Sequence, residues 1–182
     1  MSVRPRVVVV LSIGIVVQLG ACRRASVESD ADLVARAGAP LFEGMGDYHR
    51  PITTNDAGAQ RYFDQGMVLA FGFNHAEAIR SFRAAQRLDP DCAMCFWGEA
   101  LATGPNINVT SGGRAIMSPE SRVAAHAAAQ KALSLADRVA PVERALIEAQ
   151  AVRYDGSETS DRDPLDRAYA EAMRSVVQRF PD

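Results

Sequence analysis

The spacing of apolar positions changes twice along this chain, and each change marks a boundary. Val7 to Val17 is almost uninterruptedly apolar and follows the basic residues Arg4 and Arg6. The run is too short to span a bilayer comfortably, and its basic start and small-residue end read as a cleavable export signal over residues 1–21. Residues 22–50 lose sustained periodicity apart from the short stretch Ala31 to Ala37 and are rich in Ser, Asp, Gly and Pro. That composition predicts a flexible tether. From Pro51 to Asp182 apolar residues return at helical spacing, which predicts a folded helical domain over residues 51–182.

Within that domain the punctuation residues set the elements. Pro51-Ile52-Thr53-Thr54-Asn55-Asp56 supplies a turn and two candidate N-caps, Thr54 and Asn55, for a helix from about Asp56 to Phe71. Gly72-Phe73-Asn74-His75 interrupts the pattern, and Asn74 can cap a second helix over Ala76 to Leu88, closed by Asp89-Pro90. Two helices joined by so short a turn form an antiparallel hairpin. A second pair is predicted over Asp91 to Thr103 and Ser121 to Val139, with Ala129, Leu133 and Ala136 spaced before Pro141 as Ala78, Phe82 and Ala85 are before Pro90. Its helices are separated by a long loop over residues 104–113, and Ser118-Pro119 marks the restart. A third pair is predicted over Val142 to Tyr154 and Leu165 to Arg179, around a broken turn from Asp155 to Asp163.

Composition narrows the class. Loss of residues 1–21 would remove two of the 20 basic residues and none of the 22 acidic ones, leaving 18 against 22. A mildly acidic chain lacks the concentrated basic surface of a nucleic-acid partner, so no nucleic-acid role is expected. The abundance of Ala and the scarcity of Val/Ile/Thr clusters after the signal favour helices over sheet, and the fold class is expected to be all-α. About 160 residues suffice for one core without disulfide support.

Two sets of residues resemble known families. Leu19-Gly20-Ala21-Cys22 resembles the lipobox of bacterial lipoproteins. The resemblance implies cleavage before Cys22, acylation of that residue and attachment to a membrane. With Arg23 and not aspartate behind the cysteine, the outer membrane facing the periplasm is the expected place in a two-membrane envelope. The other reading is an ordinary secretory signal ending near Ala21. Counting back from Pro90, Tyr62, Gly66, Leu69, Ala78, Phe82 and Ala85 occupy the large and small positions of a tetratricopeptide repeat. This resemblance implies about three helical hairpins stacked in a short right-handed solenoid, because one hairpin cannot bury its apolar face alone. Gln65 departs from the pattern, which has an aliphatic residue there.

More narrowly, the stretch Phe71 to Ile79, Asp91-Cys92-Ala93-Met94 and Gly104-Pro105-Asn106-Ile107-Asn108 resembles a group of bacterial tetratricopeptide proteins of undefined role. That likeness implies a longer array in relatives. Phe180-Pro181-Asp182 is similar to the junction before a further repeat, and Leu165 to Arg179 is polar enough to act as a cap instead.

The family implies a groove lined by first helices, which on this chain falls on Gln60, Phe63 and Met67 and then on Met94, Trp97 and Leu101. Such a surface suits a protein or peptide partner with apolar anchors. The competing reading places the same residues in the inter-repeat core. Cys92-Ala93-Met94-Cys95 sets two sulfurs on one side of a helix start. A disulfide or buried thiols, a redox dithiol and a metal site all remain open for it, whereas Phe96 replaces the histidine required for haem attachment. His49, His75 and His126 are scattered without metal-ligand spacing. No nucleophile elbow, zincin pair or phosphate loop is present. The expectation is a non-enzymatic scaffold without cofactor or metal. The alternative is a redox or metal-handling protein using Cys92 and Cys95.

Overall fold

The computed structural model describes residues 28–106, 108–112 and 114–181; the export signal and Cys22 lie outside the described residues. The fold is all-α in its main elements: α1 Asp30–Ala37, α2 Ala57–Phe71, α3 His75–Leu88, α4 Ala93–Thr103, α5 Pro119–Leu135, α6 Pro141–Ala151 and α7 Arg162–Arg179. Two-residue strands β1 Thr110–Ser111 and β2 Arg114–Ala115 pair antiparallel inside the long α4–α5 connection, with Thr110 opposite Ala115. The sequence reading treats that connection as a loop alone. Among the described residues no helix is long and apolar enough to cross a membrane.

Local chemistry accounts for the boundaries. Asp56 caps α2 by accepting from the Ala59 amide, so neither expected N-cap is used; Thr54 lies two residues earlier and bonds Asp89 instead. Asn74 caps α3 as anticipated, its side chain accepting from the Glu77 amide. Ser118 caps α5 with Pro119 at the first helical position, and Asp161 caps α7. The C-terminal end of α2 is unusual. Phe73 N–H donates to Ala70 O at 3.1 Å and Asn74 N–H to Leu69 O at 2.8 Å, the bonding of a Schellman turn. Its left-handed position is taken by Phe73 at φ 61°, while Gly72 sits one residue too early at φ −77°.

Each of α2 to α7 packs on the next, and α4 also touches both α2 and α6 directly. Phe82 of α3 is the pivot of this packing. A Cβ on Gly66 of α2 would come within 2.7 Å of its ring, and one on Gly98 of α4 would also overlap it, so both glycines are there to admit the ring. Ala78, Phe82 and Phe63 share the main buried cluster, in which the Phe63 and Phe82 rings lie 5.7 Å apart. Tyr62 belongs to a second cluster.

Two expectations are corrected. In α5 the buried positions are Ala125, Ala128, Ala129, Ala132 and Leu135, whereas Leu133 is 38% exposed. The helix ends at Leu135 and a 3-10 turn over Ala136–Arg138 follows, so the apolar stripe runs through Ala132 and Leu135. The larger correction concerns the tether. Residues 33–39 of it are packed, because Leu33, Ala37 and Ala39 are buried against Tyr62, Ala84, Ala85, Cys92 and Cys95. Tyr62 Oη donates to Ala39 O at 2.6 Å and Arg87 Nε to Ala37 O at 2.6 Å, which ties the strap to α2 and α3.

Candidate functional site

The six residues expected to line a groove lie on α2 and α4, but they do not form an open surface. Phe63 and Met94 are completely buried, Met67 is 4% and Trp97 7% exposed, and Gln60 and Leu101 are half-buried. The groove reading is therefore corrected: these side chains are inter-helix core. The reason is the direct approach of α4 to both α2 and α6. Trp97 lies against α6 and donates its Nε1–H to Leu146 O at 3.1 Å, which satisfies the one polar atom of the indole.

An extended piece of this chain also crosses the inner helices. Arg50 N–H donates to Asp64 Oδ1, Gln60 Nε2 to Arg50 O at 2.8 Å, and Ile52 N–H to Gln60 Oε1 at 2.9 Å. Thr53 N–H then donates to Glu143 Oε1 of α6 at 2.8 Å, and Ala140 N–H donates to Thr53 Oγ1. Ile52 packs on both apolar clusters. Residues 50–53 thus lie as a peptide ligand would, backbone held by side chains of α2 and α6 and one apolar residue directed inward. Gln60, Asp64 and Glu143 are the residues that sequence reasoning left out of this role or assigned otherwise. A polar set at i and i+4 on an otherwise apolar helix was the available signal.

Cys92 and Cys95 form a disulfide with Cα atoms 5.4 Å apart. Both residues are completely buried, under α1 and beside Tyr62, and Cys92 Sγ accepts from the Cys95 amide as the cap of α4. A sulfur without exposure offers no line of attack to an incoming thiolate. Among the described residues no three His, Cys, Asp or Glu side chains are grouped as a metal site.

Two features remain open to solvent. The first is aromatic: Phe71 is 66%, Phe73 57% and Tyr48 39% exposed, with the Tyr48 and Phe71 rings edge to face at 6.4 Å. The second is a polar cleft of about 590 Å³ between the starts of α5 and α7, lined by Arg122, Arg153, Arg162 and Tyr169. Neither is prominent in sequence, because the turn reads as a helix break and the arginines are 31 and 9 residues apart. Asn106, in the connection beside this cleft, accepts from the Asn108 amide at 2.9 Å and so serves its own turn.

No protein family model, curated protein or solved structure matches this chain.

Proposed function

We propose that this chain is an extracytoplasmic scaffold of tetratricopeptide-like hairpins, held at a membrane by acylation of Cys22, that binds a protein or peptide partner. The signal-like residues 1–22 support the anchoring. The succession of antiparallel hairpins, with Phe82 seated between Gly66 and Gly98, supports the repeat reading. With the inner helices covered by residues 50–53, the partner is assigned to the aromatic turn between α2 and α3.

One observation carries that assignment. Phe73 occupies a left-handed backbone position, which costs a bulky residue about 1 kcal/mol, and its ring stands 57% exposed. Burial within this chain does not compensate the strain, whereas insertion of Phe71 and Phe73 into an apolar surface of a partner does. Exposed aromatic anchors are the residues that concentrate binding energy at interfaces.

The test places a photo-crosslinking amino acid at position 73 of the acylated chain in the envelope of its host, with the same probe at exposed Glu158 as control. The expected outcome is one defined adduct from position 73, absent from position 158 and lost in Phe71→Ser. Equal labelling from both positions, or an adduct indifferent to Phe71→Ser, would remove the assignment. Separately, metabolic labelling with palmitate is expected to mark the wild-type chain and not Cys22→Ser.

A further inference from the structure

The cleft beside α7 has the size of a small-molecule site. Its three arginines are fixed in place. Arg122 Nη1 donates to Ser160 O at 2.8 Å, Arg153 Nη2 to Pro105 O at 3.4 Å, and Arg162 Nη2 to Arg153 O at 3.4 Å and Asp166 Oδ1 at 2.7 Å. Arg162 is ion-paired with Asp166.

Two buried donors are left over. The side chain of Arg162 is only 9% exposed, and its Nε, like the Nε of Arg153, is shielded from solvent without a hydrogen-bond partner. A buried donor of a charged group with no acceptor is costly. The two guanidinium groups also crowd one ring, lying 5.9 and 5.8 Å from the centroid of Tyr154, while Arg153 stacks on Tyr169 at 4.5 Å. Like charges brought together in a half-buried site repel unless an anion lies between them.

We propose that this cleft binds the carboxylate of a small organic acid or of a peptide C-terminus between the guanidinium groups of Arg153 and Arg162, with Arg122 closing the far side. A planar monoanion matches the forked donors of arginine. A doubly charged phosphate fits worse, because Asp161, Asp163 and Asp166 also line the cleft and Asp161 already occupies the start of α7 by accepting from the Asp163 amide. Tyr169 and Ile116 give the remainder of the ligand an apolar contact.

The experiment follows the arginine Nε–Hε resonances of the full chain in detergent during titration with benzoate, a pentapeptide with a free C-terminus, the same peptide amidated, and inorganic phosphate. Saturable shifts of the Arg153 and Arg162 signals are expected with at least one free carboxylate and not with the amide. Response to benzoate alone assigns a small acid, and response to the free peptide assigns a chain terminus. Arg153→Met is expected to weaken binding about tenfold, the loss of one charge-assisted pair. Arg122→Gln, at the more open side, serves if Arg153→Met does not fold. No saturable shift with either carboxylate, an equal or stronger response to phosphate, or unchanged binding in a folded variant would overturn the proposal.

Discussion

The carboxamide of Gln65 accepts a hydrogen bond from the backbone nitrogen of Phe42 at 2.7 Å, across 23 residues of chain, and its NH2 group donates to Pro40 O and Ser81 Oγ. Gln65 is only 5% exposed, and it is the residue that breaks the repeat pattern. Its polar side chain is required because an extended strap, not another apolar helix, lies over this part of α2. Restoring the pattern with Gln65→Leu is therefore expected to destabilise the chain by about 1–3 kcal/mol, since Phe42 N–H, Pro40 O and the buried Ser81 Oγ each lose a partner. Urea unfolding measures the loss, and faster hydrogen exchange at Phe42 locates it.

The hairpin register was legible in the sequence because steric demand leaves few residues that fit: Gly66 and Phe82 meet as the pattern requires, and Asn74 caps α3. The strap was not, because Leu33, Ala37 and Ala39 are too few and too closely followed by Gly and Pro to produce a periodic signal. The groove residues stood between two readings, ligand groove and inter-repeat core, for a related reason. Apolar spacing on α2 and α4 identifies a buried face without stating whether a ligand, a neighbouring helix or the chain itself covers it. Gln60, Gln65 and Glu143, polar at positions that are otherwise apolar, carried the missing information and were legible only once their partners were known.

Phe73→Gly tests the strain at the α2–α3 turn. Glycine adopts the left-handed conformation freely, so the variant is expected to be more stable by roughly 0.5–1 kcal/mol despite losing an aromatic side chain. Crosslinking from a probe placed at position 71 is expected to fall in the same variant. Thermal melting checks the first outcome, and a lower midpoint than wild type would show that the ring contributes more to the fold than its exposure allows.

Gly98→Ala tests the seat of Phe82. The added methyl overlaps the Phe82 ring, which is also hemmed in by Gly66 on its other side. A loss of about 1–3 kcal/mol is expected. Gly112→Ala, with no atom within 4 Å of the added Cβ but a φ of 59°, provides a contrast in which backbone strain alone acts. Chemical denaturation of both variants separates overlap from strain.

The alkaline limb of stability reports on Tyr154. Burial pushes its phenol up to about 12, although Arg153 and Arg162 pull in the other direction, and its hydroxyl donates to Ala100 O at 2.8 Å while accepting from Gln150 Nε2. The unfolded phenol ionises near pH 10, so the folded state holds more protons between pH 10 and 12 and its contribution to stability is lost as pH rises through that window. Tyr154→Phe is expected to flatten this part of the profile. Denaturation midpoints from pH 8 to 12 measure the slope.

Reduction of the Cys92–Cys95 bridge is expected to require unfolding or opening of α1, since both residues are completely buried. Thiol counting with and without denaturant checks this. The loop it closes is short, so Cys92→Ala with Cys95→Ala should cost about 2 kcal/mol by loop-closure entropy.

The most direct test of the central claim, that the chain covers its own inner helices with residues 50–53, is hydrogen exchange at the amides of Ile52 and Thr53. Each donates to a side chain of an inner helix, Gln60 Oε1 at 2.9 Å and Glu143 Oε1 at 2.8 Å. Protection comparable to that of amides in the middle of α2, reduced at Thr53 by Glu143→Ala and at Ile52 by Gln60→Ala, is the predicted result. Exchange of both amides at the rate of an unstructured peptide would contradict it.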